Sequence, residues 1–197
     1  MPLIENIPGA TPLDDLSGLI PTHITTRQQL NEWEAANILQ AVKKYLTRRE
    51  PLEVSLEWLK EVHRIMFAET WEWAGTFRKK PLSIGIDWHN IPEQMKILVD
   101  DLKYWQAEES TMSVFNQSVR LHHCLVKIHP FVNGNGRHSR LVADIFLFAN
   151  KQQLPIWPDN ELIVASGIRQ QYIAALQSAD KGDFKPLEKF TAELIKR

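Results

Sequence analysis

The sequence predicts an all-α protein, a single helical bundle carrying one small β-hairpin. After Thr26, apolar residues recur at helical spacing through most of the chain. Between Gly75 and Pro92 that rhythm stops, and Gly75, Pro81, Gly85 and Pro92 bracket short runs with strand character. A length of 197 residues with 44% hydrophobic content is enough for one real core and short for two.

Residues 1–24 contain Pro2, Pro8, Pro12, Pro21, Gly9 and Gly18, too many breakers for a helix or central strand, and read as an extended arm. The domain proper then covers residues 25–197. Its first helix carries Leu30, Trp33, Ile38, Ala41 and Tyr45, with Thr25 or Thr26 as N-cap and Pro51 closing it. Ser55 caps a second helix in which Leu56, Leu59, His63, Met66 and Phe67 share a face. The hairpin should span Thr76 to Ile91. Beyond Pro92 come one helix with Met95, Leu98, Leu102 and Trp105, and another with Val114, Ser118, Leu121 and Leu125 that ends before His129. Val142, Ile145, Phe146 and Ala149 mark a further helix that must stop near Pro155. Ala165, Ile168, Tyr172 and Ala175 make the next, and Leu187, Phe190 and Leu194 a last one after Pro186.

Composition excludes several function classes. The 23 basic and 24 acidic residues are well mixed, so neither a nucleic acid nor a membrane surface is an expected partner, and phosphate chemistry would have to be local. Cys124 is the one cysteine, which fits a reducing, cytoplasmic compartment. The start MPLIENIPGATPLDDL lacks the basic and continuous apolar stretches of a secretory signal, and no run of apolar residues is long enough to span a bilayer.

The informative segment is HPFVNGNGRHSR, from His129 to Arg140. A histidine ends one helix, a glycine-rich turn follows, and a new helix opens with two arginines in its first turns. Gly134 and Gly136 leave backbone N–H groups unobstructed around Asn135, and the helix N-terminus adds unpaired donors and partial positive charge, which together form an anion cradle. Arg137 and Arg140 stand three apart on one face, a spacing that suits consecutive phosphates of a polyphosphate. The near-neutral pKa of a histidine suits removal of a proton from an attacking hydroxyl, which makes His129 the candidate base. Phe131, apolar in a polar loop, is expected to anchor it in the core. Against this stand plainer readings elsewhere. His122, His123, Cys124, His129 and His138 are zinc-ligand types, but His122 and His123 are consecutive and face apart, so core packing is preferred. Of the seven tryptophans, Trp71, Trp73 and Trp88 are expected to anchor core and loops rather than stack bases, and Arg78, Lys79 and Lys80 to form a solvated hairpin edge.

This segment resembles the Fic signature HPFx(D/E)GNGRxxR. Trp73-Ala74-Gly75 with Arg78 is similar to that family's approach to its flap, and Gly182-Asp183 with Pro186-Leu187 is similar to the stretch after its motif, so the resemblance covers about residues 26 to 195. LNEWEAAN, Leu30 to Asn37, further resembles the bacterial subgroup called mobile mystery protein B. The resemblance implies a Fic-type helical bundle with a β-hairpin flap and a protein adenylyltransferase: AMP passes from ATP with Mg²⁺ to a Ser, Thr or Tyr hydroxyl of a target protein. It makes His129 the catalytic residue, Gly134, Asn135, Gly136, Arg137 and Arg140 the nucleotide and phosphate contacts, and Thr76, Phe77, Arg78, Leu82, Ser83 and Ile84 the flap that docks the target. Asn133 stands where the family usually has an acidic metal ligand, and its neutral oxygen is a weaker ligand for a hard cation. Two alternatives stay open: transfer of another phosphate-containing group, and a nucleotide-binding regulator without turnover.

Many Fic proteins are held inactive by a helix whose glutamate pairs with the motif's second arginine, Arg140 here. Their pattern of Ser or Thr, three residues, Glu, then Gly or Asn is absent, because Gln29 and Leu30 stand four residues after Thr25 and Thr26. Either Glu32 and Glu34 are both solvated helix charges, or Glu34 approaches Arg140 as a divergent clamp. If neither holds, control falls to an antitoxin-like partner, as for the toxin of a toxin–antitoxin pair, or is absent.

Overall fold

The computed structural model describes residues 16–107, 110–162 and 164–195. Helix α1 (Arg27–Leu46) starts where Thr26 and Gln29 form a reciprocal capping box, and it ends at Thr47, ahead of Pro51. Helix α2 (Leu56–Phe67) is capped by the Ser55 hydroxyl and buries Leu59, Val62, His63, Met66 and Phe67. A single 3₁₀ turn, Trp88–Asn90, leads into α3 (Ile91–Trp105), whose Pro92 occupies the first turn, where its missing N–H costs nothing. Helices α4 (Val114–Ile128) and α5 (Asn135–Ala149) flank the glycine-rich turn. A four-residue helix, α6 (Asp159–Leu162), was not anticipated. It precedes α7 (Gly167–Asp180) and α8 (Lys185–Ile195), which starts one residue before Pro186.

The main core joins α1 to α5 through Leu30, Leu59, Met66, Phe67, Met95, Leu125 and Phe146. A smaller cluster, with Val119, Leu162, Tyr172, Ala179 and Leu187, seats α7 and α8 on the other side of α4. Helix α4 thus lies between two cores, with Leu121, Leu125 and Ile128 in the first and Val119 in the second. Of the expected arm, residues 1–15 lie outside the described residues, whereas Pro21 and Ile24 are buried and Leu19 forms an antiparallel bridge to Trp71.

The expected β-hairpin is not there: among the described residues, 76–87 contain no strand. The reason is where the backbone groups find partners. Arg78 N–H donates to Pro130 O at 2.9 Å and Ile86 N–H donates to Ile128 O at 3.4 Å, so these donors cross to the chain around His129 rather than to each other. The carbonyls of Lys80 and Ile86 accept from the Arg78 guanidinium. A charged side chain replaces part of the strand ladder.

Candidate functional site

Helix α4 ends on His129, whose φ of 54° and ψ of 60° are left-handed. That conformation usually belongs to glycine at a helix C-terminus and costs a bulky residue about 1–2 kcal/mol, so the surroundings must hold it. The ring is buried, and Nδ1 lies 3.2 Å from the Val126 carbonyl. Because a carbonyl only accepts, Nδ1 carries the proton and the imidazole lone pair sits on Nε2. Burial pushes the His129 pKa down to about 4, with the Val126 hydrogen bond opposing and the positive charge of Arg78 adding to the drop. The imidazole is neutral at physiological pH, as a proton acceptor must be.

Phe131 is fully buried and stacks on His63 at 3.7 Å between ring centroids, with an interplanar angle of 16°. His63 was legible only as one member of an apolar helix face, yet it ties the motif to the flap. Its Nδ1 accepts from Gly75 N–H at 3.0 Å, which leaves Nε2–H to donate to the Asn133 carbonyl at 3.0 Å. A histidine completely enclosed among hydrophobic residues has to place both ring nitrogens, and that requirement is the signal for such a role.

The turn itself is built by its own side chains. Asn135 is 2% exposed; its Oδ1 accepts from Phe131 N–H at 2.9 Å and its Nδ2 donates to Phe131 O at 2.8 Å. The Asn135 side chain is therefore committed to closing the loop, which leaves its backbone at the start of α5 as the part open to a ligand. Gly134 has φ +77°, and a Cβ there would stand 2.5 Å from two ring carbons of Phe67. At Gly136 an added Cβ would meet only Arg140 Nη1, at 3.7 Å. Gly134 is required by the fold, whereas Gly136 leaves open space beside Arg140.

Both arginines are already in contact with carboxylates. Arg137 Nη1 donates to Glu34 Oε2 at 2.5 Å and its guanidinium lies 5.0 Å from the centroid of Phe67, while Arg140 Nη2 donates to Asp159 Oδ1 at 2.8 Å. Glu34 is 3% exposed, and its second oxygen accepts from Trp71 Nε1–H at 2.7 Å. The expectation splits accordingly: Glu32 is an exposed helix residue bonded to Gln28, but Glu34 is buried and engages Arg137, not Arg140. Trp71, Trp157 and Asp159 were not recognised as neighbours of the site. Trp157 lies 5.7 Å from the Arg140 guanidinium and donates to Asp144, whose carboxyl burial pushes up to about 7 against the pull of Trp157 and Arg140.

Asn133 does not make a ready site for Mg²⁺. Its Oδ1 accepts from Gly134 N–H at 2.6 Å, it offers an amide oxygen rather than a carboxylate, and among the described residues no group of three His, Cys, Asp or Glu side chains is arranged for a metal ion. The histidines weighed as zinc ligands have separate partners: His122 bonds Tyr172, His123 bonds Asp180 and His138 donates to the Leu59 carbonyl. In the flap, Thr76 and Ser83 are exposed and Leu82 and Ile84 half-buried, but Phe77 faces Phe131 and Arg78 is 3% exposed. Arg78 therefore forms no solvated edge, because its guanidinium is turned inward onto backbone carbonyls. No helix among the described residues is long and apolar enough to cross a membrane.

Residues 53–147 match the Fic/DOC family. Over 157 residues, 79% of this chain, the sequence is 30% identical to a protein adenylyltransferase Fic of Drosophila mojavensis, and over 152 residues 29% identical to protein adenylyltransferase fic-1 of Caenorhabditis briggsae. The chain spans 28% of the length of each of these curated relatives. Residues 134–508 of C. elegans Fic-1 superpose with a TM-score of 0.69 at 24% identity, covering 90% of this chain and 51% of that one. BepC of Bartonella tribocorum, solved with AMPPNP, superposes with a TM-score of 0.67 at 16% identity, covering 92% and 93% of the two chains. At these identities the structural likeness concerns the fold.

Proposed function

The chain carries a Fic/DOC family domain, and from that premise we propose that it is a protein adenylyltransferase, moving AMP from ATP to a Ser, Thr or Tyr hydroxyl of a target protein. The observation that carries this reading is the neutral, buried His129 with its lone pair on Nε2, set at the mouth of a glycine turn that opens into a helix bearing two arginines. Nε2 takes the hydroxyl proton as the oxygen attacks the α-phosphorus, and pyrophosphate leaves. The N-terminal backbone of α5 with Gly134, Asn135 and Gly136 receives the phosphates, and Arg137 and Arg140 stabilise charge on the leaving group. A target strand would lie along Leu82, Ser83 and Ile84. Purified protein incubated with cell extract and ATP labelled at the α- or the γ-phosphate tests the reading. Transfer of α-label with the added mass of AMP supports it, and label from the γ-phosphate alone overturns it in favour of another phosphate-group transfer.

Mg²⁺, when it accompanies the nucleotide, neutralises phosphate charge, and Asn133 is the motif residue that stands nearest to that role. Replacing Asn133 with Asp adds an anionic oxygen and is expected to tighten divalent-ion binding about tenfold or more, read by Mn²⁺ titration in the presence of a non-hydrolysable nucleotide. Equal affinities in both proteins would remove Asn133 from the metal site.

Regulation is assigned to Glu34, which holds Arg137 and so competes with phosphate for it. Glu34→Gln keeps an acceptor for Trp71 and removes the charge that holds the arginine. A several-fold rise in self-modification is expected, with Glu32→Gln unchanged. If neither variant rises and a co-encoded protein restores inhibition, control lies with an antitoxin-like partner and the chain belongs with toxins of that kind. LNEWEAAN, which contains Glu34, also supports placement in the bacterial mobile mystery protein B subgroup, and the single Cys124 supports a cytoplasmic location for the protein itself. Asn133 favours a second reading, a nucleotide-binding regulator without turnover; metal-dependent self-modification that disappears in His129→Ala excludes it.

A further inference from the structure

Arg78 combines features that its place in an irregular loop does not require. Its guanidinium is buried, with the residue 3% exposed, yet the hydrogen bonds it makes are to backbone carbonyls. Nε donates to His129 O at 2.8 Å, Nη1 to Lys80 O at 3.0 Å and Nη2 to Ile86 O at 2.5 Å. Enclosing a cation in this way is costly, and the cost is met only when a fixed set of acceptors is worth holding in place. One acceptor is the carbonyl of the residue proposed as the base. The other two belong to the opposite limbs of the flap.

The neighbouring backbone points the same way. Arg78 N–H donates to Pro130 O, so side chain and main chain of Arg78 grip the two consecutive peptide units that follow the His129 α-carbon. Gly85, with φ +93°, lies so close that a Cβ on it would stand 2.5 Å from His129 Cβ and 3.0 Å from Arg78 Nη2. His129 itself has the left-handed conformation that needs outside support. We propose that Arg78 is a positioning residue for His129: its three-carbonyl clamp fixes the left-handed turn of the base and closes the flap against it in one interaction.

A planar fork with several donors is needed for this task, which a lysine ammonium cannot reproduce although it carries the same charge. The proposal rests on the reading of His129 as the base, and the two are separated by using a readout that needs no turnover. The experiment follows the Cε1–H resonance of His129, assigned by its loss in His129→Ala, through a pH titration of the full chain, Arg78→Lys and Arg78→Gln. Transfer kinetics and thermal unfolding are measured beside it. Burial holds the His129 pKa down and the Arg78 charge adds to it, so opening the ring to water as the clamp loosens, with loss of that charge in Arg78→Gln, should raise the pKa by about one unit or more. The kcat is expected to fall roughly 10- to 100-fold in both variants with KM for ATP little changed, the cost of a base displaced by a fraction of its contact distance.

If Arg78→Gln does not fold, Arg78→Lys decides the matter through its kcat, because the charge is kept and only the fork is lost. Folded variants whose His129 titration and kcat both stay within twofold of the parent overturn the proposal. So does a lowered unfolding temperature with the titration and the kcat per folded molecule unchanged, since Arg78 would then be only a structural tie. If the parent transfers no AMP, the functional reading fails, while the His129 titration still decides whether Arg78 positions that ring.

Discussion

His129→Ala is expected to lower AMP transfer by about 10²- to 10⁴-fold, the usual contribution of a general base, while leaving the thermal unfolding transition close to that of the parent. The ring contributes little to the core beside Phe131, which is fully buried and stacked on His63, so removal of the imidazole should cost chemistry before stability. Loss of the left-handed histidine also leaves alanine in a conformation it tolerates no better, which keeps the two proteins comparable at the backbone. The pH profile gives a second check. The base must be unprotonated, and its pKa lies near 4 because burial disfavours the imidazolium. The kcat/KM should therefore stay flat as pH falls through 6.5 and decline on approach to 4, within whatever range the fold survives. Transfer within tenfold of the parent in His129→Ala would remove His129 from the role of base, and an acid limb centred near 6.5 would show that the ring is not enclosed as described.

Gly134→Ala and Gly136→Ala, two residues apart in the same turn, are expected to have opposite consequences. At Gly134 the new methyl would stand 2.5 Å from Phe67 ring carbons on a backbone with φ +77°. Left-handed strain of about 1–2 kcal/mol and overpacking of about 1–3 kcal/mol both oppose folding there. A loss of about 2–5 kcal/mol in denaturant-derived stability follows, with transfer falling as the loop is displaced. Gly136 is already helical, and its methyl would meet only Arg140 Nη1 at 3.7 Å, so Gly136→Ala should hold or raise stability by about 0.5–1 kcal/mol. On the proposed function the same methyl would stand where phosphate approaches the N-terminus of α5, and nucleotide affinity should weaken about tenfold or more, or roughly 1.4 kcal/mol. Equal stability loss in the two variants would mean that both glycines serve the fold. Unchanged nucleotide binding in Gly136→Ala would move the phosphate site away from this turn.

What the sequence alone determined was local. Thr26 and Ser55 cap helices because a hydroxyl reaches the N–H three residues on, and the helical faces of α2, α3 and α4 follow from spacing within each segment. The His129 to Arg140 segment was legible for the same reason, since a helix end, a glycine turn and the first turns of the next helix are set within a dozen residues. The tertiary structure decided the partners. Glu34 and Arg137 lie 103 residues apart and meet only because α1 packs beside α2 and α5, and nothing in the spacing of either helix distinguishes Arg137 from Arg140 as the recipient. Asp159 reaches Arg140 through a four-residue helix too short to leave a periodic signal. The hairpin failed as an expectation for a related reason. Pro81 and Gly85 give turn chemistry, but the donors of Arg78 and Ile86 are claimed by the chain around His129, 51 residues from Arg78, and the carbonyls of Lys80 and Ile86 by a buried guanidinium. Periodicity and capping report energies between near neighbours, whereas the choice among distant acceptors for a buried charge is made only when packing has excluded water and left one set within reach.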